Sequence, residues 1–375
     1  MKVAINGSML DDKPTGVGVY TYNIINTLNR LSLKPSLVDK QITVYAPTQA
    51  NIERGVSVVK ISRFVQASRY GKFAALGRFV WNVLPFSFIG GGYDILVNPT
   101  THGSLFRRNQ VITIHDLLSL RFSNISGHQR WYFRTILPHM IKRCKLVVAV
   151  SEATKRDIVD YLGCDPEKIK VIYNGYDSSV FNLASADGGE IARHYRVNNY
   201  ILAVGPTYPH KNFEVLLRAY SSLSDSVKEN FPLVIAGGMR KYVDRLKEVI
   251  SEYNLGRHVK FLGYVPSILM PQLYGSARVL VFPSLYEGFG FPILEAMACG
   301  CPVIASNVSS IPEVCGDSAL LFDPTNETEL VGLILKLIGS EELREELVSK
   351  GLQQATRFSW DEAGKKWIEL LESIK

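Results

Sequence analysis

The sequence predicts an α/β protein built from two doubly wound halves. Short β-branched runs alternate with segments of helical period along nearly all of the 375 residues. That alternation restarts at Tyr200, after a polar, glycine-bearing stretch at 182–190 with the composition of an interdomain connection. Glycine-bearing loops follow several of the strands, where open α/β sheets bind ligands. The length is ample for two cores, and a hydrophobic content of 46% fits them.

Composition narrows the class. No apolar run reaches about 18 residues, the usual minimum for a membrane span. The best candidate, 79–93, is broken by Asn82, Pro85 and glycines. The chain opens directly into a strand, so no signal peptide is expected. Five cysteines, with only Cys299 and Cys301 close together, suggest buried thiols rather than a disulfide or zinc framework, and hence a cytoplasmic location. The net charge of +7 is lopsided, because residues 1–190 hold 23 Lys/Arg against 14 Asp/Glu. That asymmetry suggests an anionic partner for the first half. No nucleic-acid module is evident. Anionic lipid headgroups on the cytoplasmic face of a membrane fit better, and a merely soluble basic surface is the alternative.

In the first half, Lys2–Asn6 reads as a strand and 19–31 as a helix. Gly16 and Gly18 sit where that helix begins, a potential anion seat or a simple turn. The dinucleotide fingerprint is not met, because its third glycine position is Thr21 and the loop from the strand is too long. Residues 42–46 form a second strand. The segment 63–85 carries Arg69, Lys72 and Arg78 among Tyr70, Phe73, Phe79 and Trp81. Helical angles put Arg69 inside the apolar stripe of Phe73, Leu76 and Val80, which predicts core packing with basic trim rather than a clean membrane-surface helix. A lipid- or acceptor-facing patch is the alternative. Residues 93–98 and 111–114 read as parallel strands, and His115-Asp116 follows the second directly. A polar pair at a strand's carboxyl end stands where open α/β sheets bind ligands, although a lone histidine is more often structural than catalytic. A strand at 146–150 leads to Ser151, a helix cap. A strand at 171–173 closes the half.

In the second half, a strand at 200–204 leads through the loop 205–212 to a helix at 213–223. Lys211 at the helix entrance could neutralise a phosphate as a point charge, or be an ordinary surface lysine. Strands at 233–236 and 259–262 follow. Next, an apolar run at 279–282 precedes a glycine-bearing loop with Glu287, Gly288, Phe289, Gly290 and Phe291. Pro292 suits the first turn of a helix through 293–299, with Glu295 expected in that turn. From spacing alone, Glu295 complements a helix dipole and Glu287 is a solvated loop charge, or both bind a ligand. The segments 303–306, 311–313 and 319–322 continue the alternation. Helices at 328–337 and 341–357 come next, and a capping box, Ser359 with Glu362, opens the last helix at 359–374.

The stretch Glu287–Gly300, EGFGFPILEAMACG, resembles the signature of the retaining GT-B glycosyltransferases of family 4, the mannosyltransferase-like group-1 enzymes. TIHDLLSLRF around His115 and GPTYPHKN around Lys211 are similar to segments of the same family. The resemblance implies two Rossmann-like domains facing across a cleft, 1–185 on the acceptor side and 186–358 on the nucleotide-sugar side. The final helix, 359–375, would cross back to the first. It further implies that Glu287 contacts donor-sugar hydroxyls, and that Gly288, Phe289, Gly290 and Phe291 approach sugar and diphosphate. Glu295 would hold the ribose, Lys211 the diphosphate, and Tyr264 and Val265 the base. Gly16 and Gly18 would face the diphosphate and His115 the reacting sugar. Where the family often has arginine, this chain has Pro206 and His210, so the phosphate charge would be met by fewer fixed cations, or by His210 when protonated. No Asp-any-Asp motif or metal cluster is seen, and no cofactor is expected beyond the donor. GDP-mannose is the favoured donor, with a glycan or lipid-linked glycan as acceptor in surface-polysaccharide assembly. The rival classes are a dinucleotide-dependent oxidoreductase and a non-catalytic sugar-nucleotide-binding or membrane-associated regulatory module.

Overall fold

In the computed structural model the chain forms two compact units, Met1–Gly175 with Trp360–Lys375, and Tyr176–Ser359. The structure describes residues 1–12, 16–32, 41–48, 52–53, 55–71, 73–122, 125–186 and 189–374. The stretch expected to connect domains, 182–190, lies inside the second unit. Leu183 packs on Gly300, and Gly275 leaves no room for a side chain beside Ala186, whose carbonyl oxygen a Cβ would approach to 2.3 Å. Composition alone misjudged it because small-residue contacts, rather than apolar bulk, pin the segment; residues 187–188 lie outside the described residues.

The first sheet contains β1 (Lys2–Asn6), β2 (Gln41–Ala46), β3 (Ser57–Lys60), β4 (Ile95–Asn98), β5 (Gln110–Ile114), β6 (Leu146–Ala149) and β7 (Ile169–Val171). Its order is β3-β2-β1-β4-β5-β6-β7 with every pairing parallel. β4 and β5 are buried throughout, as expected of parallel strands covered on both faces. The last helix, Trp360–Ser373, belongs to this unit and packs on the helix Gly16–Ser32. The two approach closely at Gly364, where a Cβ would come within 2.3 Å of Thr27. Buried Trp367 donates its Nε1–H to the Tyr20 hydroxyl at 3.2 Å.

The second sheet contains β8 (Tyr200–Val204), β9 (Leu233–Ala236), β10 (Val259–Gly263), β11 (Ala277–Phe282), β12 (Val303–Ser306) and β13 (Ala319–Phe322). It runs β10-β9-β8-β11-β12-β13, again all parallel. That is the doubly wound order of nucleotide-binding folds, reversing between β8 and β11.

Three local expectations fail. β3 is absent from the sequence reading because it is a largely exposed edge strand without alternation. The strand expected at 171–173 lies two residues earlier, its register set by pairing with β6. Residues 311–313 begin a short helix, Ile311–Cys315, with Pro312 in its first turn. A larger departure concerns 63–85. The helix Ala67–Tyr70 stops at Gly71, whose φ of 53° suits glycine, and a new helix runs Phe73–Val83. Arg69 therefore leaves the stripe and pairs with Asp12 at 3.0 Å. Phe73, Leu76 and Val80 face solvent rather than core. Lys72 lies outside the described residues.

Candidate active site

β8 and β11 lie side by side where the second sheet reverses, and the crevice beyond their carboxyl ends is the ligand position in such sheets. Two loops leave the strands there, 205–212 and 283–290. They are tied together by the Leu285 amide, which donates to the His210 carbonyl at 2.8 Å. Lys211 and Glu287, 76 residues apart in sequence, meet with Nζ and Oε1 2.6 Å apart. Their side chains are 11% and 15% exposed. The Ser284 hydroxyl donates to the same carboxylate oxygen at 2.6 Å, and the lysine ammonium lies 5.3 Å over the Phe282 ring. Glycine is required behind the lysine. Gly237, at φ 141°, leaves so little space that a Cβ would fall 2.1 Å from the Gly205 carbonyl oxygen. Further bonds, Thr207 N to Gly238 O and Gly237 N to Gly263 O, join the loops after β8, β9 and β10 in series.

The Glu287 loop is braced from the far side by two serines after β12. Ser309 Oγ accepts from the Glu287 amide, and Ser310 Oγ donates to the carbonyls of Glu287 and Phe289, each at 2.9 Å. Neither serine, nor Ser284, stood out in the sequence; the only signal was their place just past a strand end. Gly290, at φ 112°, turns the chain into the helix Phe291–Ala298, with Pro292 in its first turn. The Phe289 ring is buried between Phe291 and Phe358, so at Gly288–Gly290 the backbone is what a ligand would meet.

Glu295 is one turn later than expected, since the helix starts at Phe291. It is half-buried and accepts from the Tyr274 hydroxyl at 2.8 Å. Burial raises its pKa to about 7, partly offset by that hydrogen bond. Of the two alternatives for the phosphate charge, a protonated His210 is disfavoured near neutral pH, which leaves fewer fixed cations. Burial, then the Lys211 charge, holds its pKa down to about 4 against a smaller opposing pull from Glu287. Its ring stacks on Tyr208, and its Nδ1 is buried without a hydrogen-bond partner. Beyond β10, the Tyr264 ring is exposed whereas the Val265 side chain is buried, which leaves only the backbone of Val265 available.

The other expected site residues, Gly16, Gly18 and His115, belong to the first unit. Gly16 and Gly18 occupy the first turn of the helix Gly16–Ser32, and residues 13–15 before it lie outside the described residues. His115 follows β5 directly. Its Nε2 lies 2.8 Å from the Pro99 carbonyl oxygen, to which it donates, and Tyr20 meets its ring edge-on at 4.6 Å. Burial lowers its pKa to about 4, so it is a neutral imidazole whose tautomer is fixed by the Pro99 bond. At the reversal point of this sheet, between β1 and β4, sits an amide network. Asn6 donates to Asn98 at 3.1 Å and also to Asn82, and Asn98 donates to Gln110 at 3.1 Å. All four side chains are buried. Among the described residues no group of three or more His, Cys, Asp or Glu side chains is placed to hold a metal, and all five cysteines are buried free thiols.

Two parallel doubly wound units make up the GT-B architecture of glycosyltransferases. The fold matches over the whole of both chains that of Anabaena HepE in complex with UDP and glucose, at TM-score 0.76 and 21% identity. Sucrose-phosphate synthase from Thermosynechococcus elongatus matches at 0.76 with 18% identity, over 100% of this chain and 99% of the other. The Glycosyltransferase Family 4 model matches residues 14–180 and the Glycosyl transferases group 1 model residues 190–354. The O-antigen chain mannosyltransferase RfbU of Salmonella typhimurium is 32% identical over 86% of this chain and 87% of its own. O-antigen chain mannosyltransferase B of Escherichia coli is 33% identical over 67% of each. The chain belongs to the group 1, family 4 glycosyltransferases.

Proposed function

We propose that this glycosyltransferase moves a mannosyl group from GDP-mannose to a hydroxyl of a glycan or lipid-linked glycan during assembly of a surface polysaccharide at the cytoplasmic face of the membrane. Transfer retains the anomeric configuration and needs no divalent metal. Mannosyl is favoured because both relatives described above are O-antigen chain mannosyltransferases. The observation that carries the mechanism is the Lys211–Glu287 pair at the strand-order reversal.

The difficult step is the negative charge that builds on the departing diphosphate. A lysine held in a low-exposure crevice meets that charge without reorganising, the usual route to a large rate effect. Glu287 is then handed from the ammonium to hydroxyls of the donor sugar, while the backbone at Gly288–Gly290 lines the sugar. Glu295, with a pKa near 7, accepts hydrogen bonds from the ribose once ionised. Uncharged His115 adds no positive charge and offers its ring nitrogen to a sugar hydroxyl. The leaving phosphate itself takes the acceptor's proton in a same-face attack.

The test is transfer from a panel of nucleotide sugars to a mannose-terminated acceptor, with anomeric proton signals read by NMR, with and without EDTA. Mannosyl transfer from GDP-mannose, giving an α-linked product and undiminished by EDTA, supports every part. Preference for a UDP-sugar, an inverted product or loss of activity in EDTA overturns the corresponding part.

A further inference from the structure

A buried tyrosine, Tyr274, holds the Glu295 carboxylate, and the fold fixes that tyrosine tightly. It stands near the end of the helix Met270–Gly275, just before β11. Three contacts pin this helix end. The Tyr200 hydroxyl, from β8, donates to the Leu273 carbonyl at 2.7 Å. The Phe181 ring lies 6.3 Å from the Tyr274 ring, and Gly275 abuts Ala186 with no space for a Cβ. A ring held this way delivers its hydroxyl to one place, Glu295 Oε2, 2.8 Å away. Glu295 Oε1 has no hydrogen-bond partner among the described residues. A tyrosine needed only for packing loses little as phenylalanine, whereas a hydroxyl that donates to a carboxylate makes a charge-assisted bond.

Burial raises the Glu295 pKa, and the Tyr274 hydroxyl opposes it. The other titratable groups of the cluster are uncharged near neutral pH. Burial pushes the Cys299 thiol up to about 12 and that of Cys301 higher, and it also raises Tyr274 and Tyr176. The helices Ile311–Cys315 and Glu341–Ala355 pack on the Glu295 helix as well. Arg344 and, from β11, Arg278 are paired with Glu341, and neither they nor Glu313 shift Glu295. An ionised carboxylate accepts strong bonds from hydroxyls, and protonation takes away part of that capacity. We propose that Tyr274 is a positioning residue for the nucleotide, its hydroxyl fixing the Glu295 carboxylate with Oε2 engaged and Oε1 left for the ribose. The proposal rests on the ribose role given to Glu295 above. Its consequence is proton release on binding. The carboxyl proton goes to solvent, while the ribose hydroxyls keep theirs and donate to the carboxylate. Affinity for a ribose nucleotide therefore rises with pH through the neutral range.

The experiment is calorimetry of GDP-mannose and of UDP-glucose on the full chain, between about pH 6 and about pH 8.5, in two buffers of different ionisation enthalpy. Both ligands carry the ribose, and neither has a phosphate that titrates near neutral pH. With the ligand that binds, the parent should release protons near the acid end and almost none at the alkaline end. Glu295→Gln should release none and bind with a flat pH profile. Tyr274→Phe should bind about two- to tenfold more weakly, and its rise in affinity should move to higher pH, because the bond favouring the carboxylate is gone. A merely structural tyrosine would lower the melting temperature and leave the pH profile in place. An unmoved profile in Tyr274→Phe, with that of Glu295→Gln flattened, overturns this proposal alone. A parental profile in Glu295→Gln, or failure of both ligands to bind, overturns the reading beneath it. Absence of proton release by the parent overturns the proposal without any variant.

Discussion

The two sheets reverse their strand order in the same way, yet the crevices at the two reversals are chemically opposite. In the second unit the crevice holds charge, a lysine and a glutamate 2.6 Å apart and mostly shielded from water. In the first it holds buried neutral amides, Asn6, Asn82, Asn98 and Gln110, and the nearby strand end carries an uncharged histidine. One fold is thus specialised by the side chains at its strand ends. On the proposed reading the charged pair would serve to meet a diphosphate, whereas the amides, buried and bonded to one another, hold the strand ends together.

The contrast breaks most visibly at Glu287. Glu287→Ala should lower transfer about 10²- to 10³-fold or more while the circular dichroism spectrum stays unchanged, and parental turnover would remove the charged crevice from the mechanism. Lys211→Ala should weaken GDP binding about 10- to 100-fold, the loss expected for a hydrogen bond to a charged group, as measured by calorimetry. In the neutral crevice the effect should fall on stability instead. Asn6→Ala leaves Asn82 and Asn98 unsatisfied and should cost about 1–3 kcal/mol in denaturant unfolding.

The smallest effects come from titration. His210 takes up a proton more readily unfolded, near its ordinary 6.5, than folded, near 4. It therefore lowers stability as pH falls through that window and has no such effect above 6.5. Glu295 does the reverse. Its folded pKa of about 7 lies above the ordinary 4.5, so stability is greatest below 4.5 and declines as pH rises toward 7. Denaturant unfolding between pH 4 and 7 should show His210→Asn flattening the acid loss and Glu295→Gln removing the opposing decline.

The charged unit was also the more legible. Its strands at 200–204, 233–236, 303–306 and 319–322 read directly from sequence, because buried β-branched runs end sharply at glycine or polar loops. Lys211 and Glu287 were identifiable as candidates, but their pairing was not, since it depends on which strands are neighbours. The serine brace at 309–310 was invisible for the same reason. Over 63–89 the periodicity was present and its meaning was inverted. An apolar stripe marks one face of a helix without saying whether that face meets core or surroundings, and here the core takes the side with Ala74, Gly77, Trp81 and Asn82.

The central claim is that Lys211 and Glu287 hold each other until the donor separates them, lysine going to phosphate and glutamate to sugar. Calorimetry of GDP and GDP-mannose with Glu287→Ala tests it most directly. GDP affinity should hold or rise as Lys211 is released, and only the extra affinity contributed by the mannosyl group should vanish. Equal weakening of both ligands would contradict that division of roles.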